Sequence, residues 1–469
     1  MTSPTSPGAS PHAPTLNPEP SQSWLMTRLE RASTLAFVVF GGLTAFCVYF
    51  SMYAFRKPYA ASKYEDATLL GWDIDFGFKE TLVIAQILGY ALSKVIGIKV
   101  ISEMQPSRRA PAILGLIGIS LLGLILFAVL PMDLKFLALF VNGLPLGLIW
   151  GLVFGFLEGR RTTEILGAML SASFIVSSGI VKSVAVWLMN SGVSEFWMPA
   201  ATGALFLPVL FISVYALSQL PPPTVDDIAA RTQRLPMDGA QRKAFLGRYF
   251  PGLALLVGGY ILLTVFRDFR DDFAVEIWAD LGKEGDPTVL TQSEIPVAII
   301  TLIAFGCLVM IRNNRLAFLT IQGMSLLGAV LMGVTALGYV AGVVSPLWLM
   351  IGTGAGLYIG YMPFGAMLFE RMIAATKTVA NAGFLIYVAD ASGYLGTVSL
   401  LVYKNFFAAD VPWLTVFLTG AFVTSAVCIV FFILAMGYFR KKVDDDETPA
   451  AVSAPAPDPR PAGIPVGAR

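Results

Sequence analysis

Twelve stretches of this chain are long and apolar enough to cross a lipid bilayer, and they leave few folds open to it. They run over residues 34–57, 80–102, 111–130, 135–157, 165–190, 198–220, 250–268, 294–311, 316–340, 347–369, 378–402 and 412–439. A spanning helix needs ~20 largely apolar residues. Inside hydrocarbon the backbone must satisfy its own hydrogen bonds, so such stretches are read as helices. Only 13% of the residues are charged, against about 25% in a soluble domain. Mean hydropathy is +0.72. The expected class is an all-α membrane protein with twelve transmembrane helices.

The ends are different. Residues 1–33 are rich in Pro, Ser and Thr and lack the basic start and short apolar core of a secretory signal. Residues 440–469 open with Arg440-Lys441-Lys442, turn acidic, and then become Pro/Ala-rich. Both are expected to be disordered tails. An even number of spans puts the two tails on one side. The loops of that side hold Arg108, Arg109, Arg160, Arg161, Arg231, Arg234, Arg242, Lys243, Arg248, Arg312, Arg315, Arg371 and Lys377. Loops rich in cations stay in the cytoplasm, so both termini are expected there.

Several functions are disfavoured by what is scarce. The single histidine, His12, lies in the N-terminal tail, which argues against most zinc sites and against Ser-His or Cys-His catalysis. Cys47, Cys307 and Cys428 lie in spans and read as small apolar residues. A net charge of +1 points to no nucleic-acid partner. No cofactor is expected, and a monomer in the lipid bilayer is the expected form.

The chain also repeats itself. Ala54-Phe55-Arg56 closes span 1, and Val265-Phe266-Arg267 closes span 7, with the arginines 211 residues apart. Glu158 closes span 4 and Glu370 closes span 10, 212 residues apart. Two matches at nearly one offset indicate a parallel duplication. The expected domains are an N-terminal six-helix bundle over 34–220 and a C-terminal one over 250–439, joined by a cytoplasmic linker over 221–249. This is the major facilitator architecture.

The same residues resemble the organophosphate:phosphate antiporters of the major facilitator superfamily. The Tyr-x-x-Arg-Lys run of that family is matched by Tyr53 to Lys57, and its Tyr-x-x-Ser-Lys run by Tyr90 to Lys94. Its helix 7 arginine is matched by Arg267, and Trp197-Met198-Pro199-Ala200 before span 6 is similar too. The likeness is fuller in the first half. Two features depart: Ser102-Glu103 stands where the family has Asp-Arg, and the paired tryptophans after helix 4 are absent. The chain looks closer still to an uncharacterised bacterial family of major-facilitator-like proteins sharing the RKPY, SKVIGIKVISEM and FLEGRRTTE runs. That resemblance implies a transporter in a bacterial inner membrane.

On this reading Arg56, Arg267 and Lys94 bind a small anionic substrate, with Tyr53 and Tyr90 beside them. An arginine fork fits carboxylate or phosphate oxygens and keeps its charge when buried. Three cations with no deep acid would form an electropositive pocket favouring phosphate esters or phosphate. The plainer alternative has the two arginines snorkelling to outer head groups. Lys57 reads as an exposed neighbour. Lys182 in span 5 and Asp390 in span 11 are deep charges, read as a buried ion pair or as a proton-coupling pair. Glu158 with Arg108 or Arg109, and Glu370 with Arg312 or Arg315, are read as an inner gate that closes when the protein faces outward. The glycines of spans 4 and 10 are read as sites of close helix packing. The rivals to transport are a membrane enzyme, for which no catalytic constellation is visible, and a sensor on the same scaffold.

Overall fold

The computed structural model describes residues 23–65, 77–102, 104–224, 227, 239–376 and 382–447. The twelve main helices are α1 (Thr34–Arg56), α2 (Phe78–Ser102), α3 (Pro106–Val129), α4 (Lys135–Leu157), α5 (Thr163–Asn190), α6 (Met198–Ser218), α7 (Gly239–Asp272), α8 (Thr288–Val309), α9 (Asn314–Val340), α10 (Pro346–Pro363), α11 (Ala382–Phe407) and α12 (Trp413–Glu447). Among the described residues there are no strands. Over the described residues, ten helices are long and apolar enough to cross a membrane on that ground alone. α10 is diluted by Gly352, Gly354, Gly356 and Gly360.

Helix ends depart from the apolar runs where a polar segment still has a helix to continue. α7 begins at Gly239, so the second part of the expected linker is helical, and α12 runs through Arg440-Lys441-Lys442 to Glu447. A short helix, Trp24–Glu30, lies in the expected N-terminal tail, capped by the Ser23 hydroxyl accepting from the Met26 N–H. Residues 1–22 and 448–469 lie outside the described residues, as does most of the segment between α6 and α7. α10 ends at Pro363 in a π-helical turn, Phe364–Leu368, before a further turn of α-helix, Phe369–Ala375. Such a turn widens the helix locally and recurs at functional sites.

α1 to α6 pack into one bundle and α7 to α12 into another, as the duplication requires. The bundles meet along two seams, α5 against α8 and α2 against α11. Small residues set the closest approaches. A β-carbon on Gly143 of α4 would fall 2.4 Å from the Gln86 carbonyl oxygen of α2. One on Gly356 of α10 would fall 2.5 Å from the Gly328 carbonyl of α9. Without a strong hydrophobic drive between helices in lipid, such backbone contact is what holds them together.

Candidate functional site

Arg56 is the last residue of α1, yet it is only 7% exposed, so it is not a head-group anchor. Its guanidinium lies 4.0 Å from the centre of the Tyr90 ring and 5.6 Å from that of Tyr53. Its Nε is buried with no hydrogen-bond partner. Among the described residues no carboxylate forms an ion pair with it. That is the costly way to keep a cation, because a buried charge without a partner forfeits its hydration.

The backbone under Arg56 is held by a polar hub that the sequence did not suggest. The last carbonyls of any helix lack intrahelical partners. Here the Gln86 amide donates to the Arg56 carbonyl at 2.8 Å, and the Asn142 amide donates to the Phe55 carbonyl at 3.0 Å. Gln86 also donates to Asn142 Oδ1 at 2.8 Å, and Asn142 reaches the Ser120 hydroxyl at 2.6 Å. Three helices, α2, α3 and α4, thereby fix the end of α1.

Arg267 comes from the other half. Its Nε and Nη2 grip Asp268 Oδ1 at 3.0 and 2.6 Å, and Nη1 donates to the Tyr361 hydroxyl. Asp268 also accepts from Thr397 at 2.9 Å. Tyr361 stacks on Tyr260 at 5.1 Å, and the Tyr260 hydroxyl donates to Asp390 Oδ1 at 2.5 Å. The other Asp390 oxygen lies 3.2 Å from Lys94 Nζ. Tyr90 and Tyr394 meet edge-on at 5.6 Å across the α2–α11 seam. Arg56, Arg267, Lys94, Tyr53 and Tyr90 thus belong to one buried, tyrosine-lined cluster between the halves.

Two sequence expectations need correction. The cluster is not free of acids, since Asp268 and Asp390 stand inside it. Lys182 does not pair with Asp390. Its Nζ bonds Asp271 Oδ1 at 2.7 Å, while Asp390 goes to Lys94. The reason is symmetry. A two-fold relating the halves carries α5 onto α11, so these equivalent helices lie on opposite sides of the axis. α5 faces α8 and the end of α7, and α11 faces α2.

A second charged group lies at the end that the loop charges assign to the outside. Lys57, expected to be exposed, is buried against Asp271 Oδ2 at 2.7 Å and Asp272 Oδ1 at 2.5 Å. Asp271 therefore takes one lysine from α5 and one from the end of α1. Arg270 pairs with Glu294 at 2.8 Å. Lys79 bonds Glu276 of the short helix Ala274–Asp280, where burial pushes the Glu276 carboxyl up against the pull of the lysine. Lys63 bonds exposed Glu284 and holds that carboxyl below its usual range. All but the Arg270–Glu294 pair join the two halves, so this end is latched shut.

At the opposite end, where the loops are rich in cations, a bridge between the halves is made by Arg371 Nη2 on both Glu164 oxygens at 3.0 Å, which the sequence reading did not single out. Of the expected inner gate, Arg108 and Arg312 are exposed, and Arg109 donates to the Gly155 carbonyl at 2.5 Å beside the Phe156 ring. Glu158, Glu370 and Arg315 make contacts of their own. Their expected pairing belongs to an outward-facing state, and this structure is closed on that side.

Comparison with known proteins bears on the fold. The model of a family of unknown function, DUF5690, matches residues 58–442. No curated protein sequence matches the chain. Among solved structures, a D-xylose–proton symporter superposes with a TM-score of 0.56 at 13% identity, covering 89% of this chain and 99% of that one. A bacterial homologue of the human drug peptide transporters gives 0.55 at 15% identity, covering 87% and 99%. A peptide transporter in complex with sulfate gives 0.56 at 14% identity, covering 87% and 95%. The fold is that of the major facilitator transporters.

Proposed function

We propose that this chain, which belongs to the DUF5690 family of unknown function, is a secondary transporter that moves a small organic anion by alternating access. The observation that carries the reading is Arg56, a buried cation with an unpaired Nε at the interface of two bundles that can rock about it. An arriving anion would supply the partner it lacks. Phosphate esters, phosphate and carboxylates all have the oxygens an arginine fork requires.

The Lys94–Asp390 pair, with Tyr260 on the second oxygen, lies between the halves. An anion that draws on Lys94 weakens this bond across the α2–α11 seam, which couples substrate binding to the rocking of the bundles.

The test is uptake and exchange of labelled anions in proteoliposomes with purified protein. Native protein is expected to exchange its substrate, and Arg56→Gln to abolish both exchange and binding. Binding without exchange would make the protein a sensor, and exchange undiminished in Arg56→Gln would remove Arg56 from the site.

A further inference from the structure

The ionic count of the cluster narrows the substrate, provided the anion site described above is the binding site. Lys94 is engaged by Asp390, and Arg267 gives two N–H groups to Asp268. Three cations against two carboxylates leave one positive charge, and it resides on Arg56. Burial multiplies the penalty for any charge left unbalanced. A singly charged ligand brings the cluster to neutrality, whereas a doubly charged one leaves a buried negative charge.

Geometry favours the same ligand. A guanidinium held over an aromatic face, as Arg56 is over Tyr90 at 4.0 Å, keeps its N–H edge available for an anion. The planar two-oxygen edge of a carboxylate matches that edge. Tyr53 and Tyr90 stand beside Arg56, and Tyr394 meets Tyr90 edge-on; tyrosine hydroxyls suit the neutral polar groups of an organic acid.

We propose that the site takes organic monoanions with a carboxylate head group and discriminates against dianions, phosphate monoesters included. The experiment compares probes of one skeleton and different charge at pH 8, where a phosphate monoester is a dianion because its second pKa is about 6. Glycerate is set against glycerol phosphate, butyrate against succinate, and benzoate against phthalate, each by calorimetry on the purified full-length protein. The monoanion of each pair is expected to bind about tenfold tighter or more. Asp390→Asn adds one positive charge to the cluster and is expected to move the preference toward the dianion. Asp268→Asn makes the same change of charge beside Arg267, and so serves if the first variant fails to fold.

Native protein that prefers dianions would overturn the monoanion assignment while leaving an anion transporter in place. An unchanged preference in both well-folded variants would overturn charge matching as its cause. Failure of every probe to bind, together with absence of exchange for all of them, would overturn the anion site itself.

Discussion

Replacing Asp271 by Asn should open the latched end of this protein. The carboxylate holds Lys57 at 2.7 Å and Lys182 at 2.7 Å, from two different helices of the opposite half. Both lysines are nearly inaccessible, with side chains 5% and 3% exposed. Removing one partner of a buried pair costs about 3–5 kcal/mol, because the other charge is stranded. Lys57 keeps Asp272 at 2.5 Å, so the loss falls mainly on Lys182, and the lower figure of about 3 kcal/mol applies. Once the halves part at this end the lysines can be hydrated, so the substitution penalises the closed state far more than the open one. At ~1.4 kcal/mol per factor of ten, the balance shifts roughly a hundredfold toward the open state.

Spin labels at Asn190 and Lys283 would read the change, since both residues are exposed and stand on opposite halves at that end. The three native cysteines, Cys47, Cys307 and Cys428, must first be replaced. Asp271→Asn is expected to move the distance distribution to longer values. Arg371→Gln, which breaks the inner bridge to Glu164, should act in the opposite sense but weakly. Glu164 is 36% exposed, and such a pair contributes only ~0–1 kcal/mol. An outer distance that stays unchanged in Asp271→Asn, with the protein folded, would refute the latch.

Three further outcomes follow from the packing. Gln86→Leu leaves the Arg56 carbonyl and Asn142 Oδ1 without a buried partner, and should lower stability by about 1–3 kcal/mol in thermal unfolding, along with anion affinity. Gly143→Ala forces α2 and α4 apart at a 2.4 Å contact and should cost about 1–3 kcal/mol, whereas Gly115→Ala, with open space around it, should leave the melting temperature unchanged. Arg267→Lys keeps the charge but cannot hold Asp268 and Tyr361 together, so transport should fall sharply while the protein still folds.

The fold was legible because hydrocarbon imposes one rule on every span, and the rule is written in composition. The site was legible in its residues and not in its pairings. Arg56, Arg267 and Lys94 stand out as charges in apolar runs, yet nothing local in the chain tells which acid each one meets. The 212-residue offset led from Lys182 toward Asp390, but a two-fold repeat separates equivalent elements and joins non-equivalent ones. Taken that way, the duplication itself directs α5 to α8 and α11 to α2, and Lys94 to Asp390.

The order of residues along two short runs then acquires a meaning. At the end of α1, Arg56 belongs to the anion cluster and its neighbour Lys57 to the latch. At the end of α7, Arg267 and Asp268 belong to the cluster, and Asp271, one turn on, to the latch. Adjacent positions on one rigid turn cannot move independently. An anion that repositions Arg56 or Arg267 must therefore disturb Lys57 and Asp271 as well. By thermodynamic reciprocity, whatever weakens the latch must alter the affinity for the anion by the same factor as the anion alters the latch.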